Sequence, residues 1–199
     1  MSAGIDGLII HGKSKNWVYI EVEDAKLKFH SAEYLVGMDT YTTELDVKSR
    51  INAPGKKSSV YAIGEAGENM VSFACVVGDR GHVAAHNGIG AVWGSKKLKA
   101  IAVKRGIAEI EMFDPEKVKK LTRELVSDMK THPLYSNVFN KGTSFLLGMY
   151  YNQGLVPYKN LTSSVIPESF SKLKGDYYRG NFESKREPCF ACPSRSEER

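Results

Sequence analysis

Cysteine is scarce in this chain, with three among 199 residues. So few thiols exclude a disulfide framework. Two of them, Cys189 and Cys192, form a CxxC, which in a reducing compartment points to a metal, an iron–sulfur cluster or redox chemistry. Long apolar runs are also missing. None approaches the roughly 20 residues that span a bilayer, and the opening MSAGIDG lacks the basic-then-apolar plan of a secretory signal. These absences set aside a membrane role and make a cytoplasmic location the expectation. No basic stretch is interleaved with aromatics, although the net charge is +5. The lysines are spread out, and the denser groups (Lys96, Lys97 and Lys99, then Lys117, Lys119 and Lys120) alternate with apolar residues as solvated faces do. Nucleic acid is therefore not an expected partner. Internal repeats and low-complexity segments are absent too.

What remains is ordinary soluble composition, 42% hydrophobic and 26% charged, enough for one sizeable core or for one domain and the start of a second. GLIIHGK (7–13) has a short apolar strand core. WVYIEVE (17–23) alternates Val18, Ile20 and Val22 against Tyr19 and Glu21, and KLKFH (26–30) alternates again, so Glu23, Asp24 and Ala25 predict a hairpin turn. TYTTELDVKSRI (40–51) reads as a helix with Asp39 or Thr40 as N-cap and Leu45 and Val47 turned inward. SVYAIG (59–64) and MVSFACVVG (70–78) read as strands joined by a tight EAGEN, with Cys75 buried in the second; KAIAVKR (99–105) reads as another. Trp17 and Trp93 read as packing residues.

Character changes near residue 113. Asp114 and Pro115 open a helix whose apolar face is Val118, Leu121, Leu125 and Met129. HPLYSN breaks it, GTSFLLGMYYNQG (142–154) predicts a second helix capped by Thr143 or Ser144, and 155–188 is loop-rich. The fold class expected is α+β: a mixed antiparallel sheet domain over 1–108, then a mainly α segment over 109–199 that ends at the CxxC loop.

The densest chemistry lies in GDRGHVAAHN (78–87) and the following GIGAVWGSKKLKAIAV (88–103). Five glycines fall between Gly78 and Gly94, with Arg80, His82 and His86 among small residues. Such a backbone can approach a ligand closely, and its N–H groups can meet phosphate oxygens where a helix begins at about Gly90. It can equally be a glycine-rich connection that satisfies only its own turns. It lacks the spacing of a Walker A loop, and no acidic residue follows at the distance a Rossmann fingerprint needs.

The run AGENMVSFACVVGDRGHVAAHNGIGAVWGSKKLKAIAVKRG resembles a stretch of the tungsten-containing aldehyde ferredoxin oxidoreductase family. The family pattern is an AGEN turn, an Arg-Ala-x-Gly-Arg-Gly-Gly loop, then Gly-Ala-Val-Met-Gly-Ser-Lys-x-Leu-Lys-Ala-Ile. Ala66 to Asn69, Gly90-Ala91-Val92, Gly94-Ser95-Lys96 and Leu98-Lys99-Ala100-Ile101 match it. NQGLVPYKN resembles the family's Asn-x-x-Gly-x-Leu-Pro segment, and EPCFACP its cluster-binding loop.

The resemblance implies a tungsten or molybdenum ion between two pterin dithiolenes beside a 4Fe–4S cluster, oxidation of small aldehydes to carboxylic acids, and ferredoxin or an electron-transfer subunit as acceptor. It places the pterin against His82, Val83, Ala85, His86, Asn87, Gly88 and Gly90, and two cluster thiolates at Cys189 and Cys192. The chain departs from the pattern where His82 and His86 replace two arginines, where Ala85 and Asn87 replace two glycines, and where Ser196 takes the third cysteine's position. The likeness also implies an internal fragment, completed by further residues, by a complementing chain or in a homo-oligomer. The alternative reading is a non-catalytic degenerate or split-gene chain that keeps the fold and binds a partner. A zinc or redox module on Cys189 and Cys192 ranks behind both, because zinc would need two further ligands.

Overall fold

The computed structural model describes residues 3–107, 111–163, 165–182 and 192–194. Contacts divide the chain into two compact units, Met1–Glu111 and Met112–Arg199. The first carries β1 (Val18–Glu23), β2 (Lys26–Ser31), α1 (Thr40–Arg50), β3 (Ser58–Ala62), α2 (Glu65–Glu68), β4 (Val76–Gly78), β5 (His82–Ala84), α3 (Ile89–Ser95) and β6 (Leu98–Lys104). Its sheet runs β2-β1-β6-β3-β4-β5. β1 and β6 are parallel, and every other neighbouring pair is antiparallel. The second unit carries α4 (Pro115–Thr131), α5 (Tyr135–Lys141), α6 (Phe145–Asn152) and α7 (Gly175–Asn181). The molecule is thus α+β followed by a mainly helical segment.

The β1–β2 hairpin turns on Asp24 and Ala25, both at left-handed φ (46° and 60°), between the paired Glu23 and Lys26. A two-residue turn of that hand matches the twist of its strands. Ala25 also donates its N–H to the Ala3 carbonyl at 2.7 Å, which holds the turn against the opening segment. α1 starts at Asp39, whose carboxylate accepts from the Thr42 N–H at 2.7 Å and the Thr42 hydroxyl at 2.9 Å.

Each face of the sheet has its own apolar cluster. On one, Tyr19, Val60, Ala62, Ala100 and Ala102 lie with Leu35, Val47 and Ile51. On the other, Ile20, Val22 and Leu98 meet Ala3, with Ile5, Leu8, Ile10 and Trp93 packed around them. β1 is therefore buried on both sides, beyond the half-buried pattern its alternation predicts.

Four local expectations need correction. Residues 7–13 form no strand: Leu8 and Ile10 pack onto the sheet face, while Ile9 stays exposed and the backbone joins no ladder. Only 76–78 of the 70–78 stretch is strand. Before it, Met70 is left-handed and Ala74 bonds back to Val71, so the chain turns instead of extending. Cys75 is accordingly half-buried and outside the strand. In α1, Leu45 faces solvent while Thr43, Glu44, Val47 and Lys48 are buried, because the inward face of the helix is partly ionic.

In the second unit Asp114 caps α4 through the Lys117 N–H at 2.9 Å, with Pro115 as its first residue. The chain restarts as α5 at Tyr135, inside the expected break, and α7 forms within the stretch read as loop. Left-handed Gly154 follows α6. Among the described residues no helix is long and apolar enough to cross a membrane.

Candidate functional site

The glycine-rich stretch begins where β4 turns into β5. Asp79, Arg80 and Gly81 all have positive φ, at 44°, 65° and 111°. Two consecutive non-glycine residues in this region cost roughly 1–2 kcal/mol each, so the turn needs external support. α1 provides it. Glu44 accepts the Arg80 N–H at 2.9 Å and the Lys48 ammonium at 2.7 Å, and Lys48 reaches the Asp79 carboxylate at 3.3 Å. Asp79 also accepts from the Ser59 hydroxyl and from the Val60 N–H, the latter at 3.4 Å. The Glu44/Lys48 pair has ordinary helical i,i+4 spacing. Nothing local in the sequence announces its distant partner, Asp79.

Beyond the turn, His82 is half-buried at the start of β5, an outer strand of the sheet. Val83, Ala84, Ala85, His86 and Asn87 are all exposed. The backbone then turns left-handed at Asn87 (φ 66°) and Gly88 (φ 64°) and enters α3.

The glycines face inward. A Cβ on Gly88 would stand 2.1 Å from the Ser72 carbonyl oxygen, one on Gly90 2.5 Å from the Cys75 oxygen, and one on Gly94 1.9 Å from the Gly67 oxygen. All three are far inside contact distance, so α3 packs backbone to backbone on α2 and on the 72–75 turn. The Gly90 N–H, read from the sequence as open to an anion, donates instead to the Ala74 carbonyl at 3.0 Å. The candidate residues thus come together in one continuous loop with two roles. Residues 83–87 are displayed outward, and Gly88 and Gly90 form the packed base beneath.

The CxxC is less visible. Cys189 and Ser196 lie outside the described residues. Cys192, in the second unit, is half-buried with its Sγ 3.1 Å from the Ser194 hydroxyl. Among the described residues no three His, Cys, Asp or Glu side chains are grouped to hold a metal ion.

Comparison with known proteins follows the same division of the chain. The model for the aldehyde ferredoxin oxidoreductase N-terminal domain matches residues 1–105, and the model for domains 2 and 3 of that enzyme matches residues 120–198. The chain belongs to the aldehyde ferredoxin oxidoreductase family. The tungsten-containing aldehyde ferredoxin oxidoreductase of Pyrococcus furiosus is 32% identical to it, covering 96% of this chain and 31% of the relative. The Thermococcus kodakarensis protein of the same description is 33% identical with the same coverage. An aliphatic sulfonate oxidoreductase, WOR-like subunit, of Pyrococcus furiosus is 35% identical over 64% of this chain and 22% of its own length.

Among solved structures, the active-site complex BamBC of benzoyl coenzyme A reductase, with 1,5-dienoyl-CoA, superposes with a TM-score of 0.61 at 36% identity, covering 65% of this chain and 19% of that one. The chain therefore spans about a third of the length of the aldehyde ferredoxin oxidoreductases it matches. Membership places it in a family of oxidoreductases.

Proposed function

We propose that this chain supplies a pterin-facing loop of a tungsten or molybdenum bis-pterin, iron–sulfur oxidoreductase. The complete enzyme would oxidise small aldehydes to carboxylic acids and pass electrons to ferredoxin or to an electron-transfer subunit. The observation that carries this reading is the loop over 82–90, held at one end by α1 and at the other by glycine packing, with 83–87 turned outward.

That arrangement suits a flat anionic heterocycle. Ala84 and Ala85 leave the backbone accessible, and an imidazole at His82 or His86 has an N–H to donate in either protonation state. When bound, a tungsten or molybdenum bis-pterin supplies two-electron oxidation of an aldehyde carbon, with an adjacent cluster handing the electrons on singly. The part assigned to this chain is to bind and orient. His82 and His86 would donate to the phosphate, Val83, Ala85 and Asn87 would line the ring, and Gly88 and Gly90 would keep the base thin enough to rest on the 72–75 turn.

The cluster is a different case. A cubane needs four ligands, and Cys189 and Cys192 supply two, with Ser196 at the next position of the pattern. The remaining ligands must come from outside this set, in the same polypeptide or in a complementing chain.

The second reading, a non-catalytic chain that keeps the fold and binds a partner, is favoured by the replacements at His82, His86 and Ser196. Anaerobic isolation of the protein from its native source, followed by elemental mass spectrometry, separates the two. Tungsten or molybdenum co-purifying with iron is expected. Absence of all three would overturn the enzyme reading and leave the partner-binding one.

A further inference from the structure

Lys99 is the largest fully buried side chain among the described residues, with 0% of its side chain exposed. Its ammonium pairs with the carboxylate of Glu68, itself only 8% exposed, and donates to the Met38 carbonyl at 2.8 Å. The second oxygen of Glu68 accepts the Gly37 N–H at 2.9 Å. One ion pair therefore joins three segments: the connection before α1, the last residue of α2, and β6.

A buried pair of this kind is weak support for stability, because desolvating two charges offsets most of their attraction. Its better-attested use is to fix the register of what it joins. What it joins is the base of the loop. Glu68 follows Gly67, whose carbonyl lies where a side chain on Gly94 would stand, and a Cβ on Gly67 would come 3.1 Å from the Gly90 oxygen. At Gly67, Gly90 and Gly94, α3 thus meets α2 backbone to backbone, and a shift of α2 passes directly to Gly88, Gly90 and the outward residues before them.

We infer that Glu68 and Lys99 are positioning residues for the 82–90 loop: the pair sets where α2 lies, and α2 sets the height and tilt of the loop. The inference rests on the proposed role of that loop as a ligand-binding surface, but its test does not need the ligand.

Amide hydrogen exchange on the full chain, read by mass spectrometry, compares peptides covering 82–95 with peptides from β1 and β2, which carry neither substituted residue. In the double variant Glu68→Ala/Lys99→Met, which leaves no unpaired buried charge, exchange over 82–95 should rise at least about tenfold relative to β1 and β2. Glu68→Gln has one oxygen to serve two donors and should give an intermediate rise of about threefold. A role in general stability alone would raise exchange in all these peptides together. An unchanged ratio in the double variant therefore sinks the assignment, and if that variant fails to fold, an unchanged ratio in Glu68→Gln does so. Metal analysis answers the separate question. A clamped loop in a metal-free native protein would remove the proposed ligand and leave the clamp standing.

Discussion

The two units use apolar residues in opposite ways. In Met1–Glu111, aliphatic side chains on both sheet faces are withdrawn from water, and Leu35, Val22, Val47 and Val60 are completely buried. In Met112–Arg199, the described residues classed as buried are two glycines, Gly142 and Gly175. The helix with the clearest amphipathic pattern, α4, shows Leu121 53% and Leu125 60% exposed. A helix mainly gains its stability by packing an apolar face, so strong local signals need not produce a core. The first unit has what it needs to hold a precise loop. The second has a capped α4 and, among the described residues, no buried large side chain.

Core truncation is the largest lever on that contrast. Leu35→Ala removes a fully buried side chain from the α1 face and is expected to cost about 2–5 kcal/mol. Trp17 and Trp93 both lie in the first unit, so denaturant unfolding followed by tryptophan fluorescence reads this unit alone. A loss below about 1 kcal/mol would mean that the core is loosely packed and the contrast overstated. Gly94→Ala comes next. Its Cβ would meet the Gly67 oxygen at 1.9 Å, and separating α3 from α2 should cost about 1–3 kcal/mol in the same measurement. Because both helices support the 82–90 loop, exchange there should rise more than in β1.

What the residues announce in advance divides along physical lines. Caps and turns are local chemistry, so Asp39 before α1, Asp114–Pro115 before α4 and the Asp24–Ala25 hairpin were all legible. Residues 7–13 misled because Leu8 and Ile10 satisfy their hydrophobicity on a sheet face, and a short apolar run cannot distinguish that from a ladder. β5 was missed because three residues with an exposed, polar neighbourhood carry too little pattern. Within the candidate site, position was legible and direction was not. Glycine spacing located the loop, but a missing side chain does not tell whether a ligand or a neighbouring backbone takes its place. The ion pairs Lys48–Asp79 and Glu68–Lys99 each join residues 31 apart, and no local spacing marks them.

A smaller effect tests the other side of the contrast. Leu125→Ala removes an exposed side chain and improves helix propensity, so stability should change by no more than about 0.5 kcal/mol. Far-ultraviolet circular dichroism during thermal unfolding follows it, since α4, at 17 residues, is the longest helix among the described residues. A cost of 2 kcal/mol or more would show that this face is covered in solution, and a concentration-dependent melting temperature in the parent chain would identify the cover as a second copy.

The smallest effect concerns the rim of the first unit, where burial is incomplete. Tyr34 is 38% exposed, with Arg50 4.0 Å over its ring. Withdrawal of the phenol from water, and then the negative charge of Asp46, push its pKa up to about 12, against the opposing pull of Arg50. The folded state therefore keeps the Tyr34 proton where the unfolded chain, titrating near 10, has begun to lose it. The resulting stability is fully present below about pH 10 and is lost as pH rises toward about 12. Its size stays below the core effects because solvent screens a group this exposed. Between those pH values, unfolding by fluorescence should show the parent chain losing stability faster than Tyr34→Phe, which has no phenol to ionise. Equal slopes would mean that water and Arg50 already accommodate the phenolate, and that the tight environment of the first unit stops short of its rim.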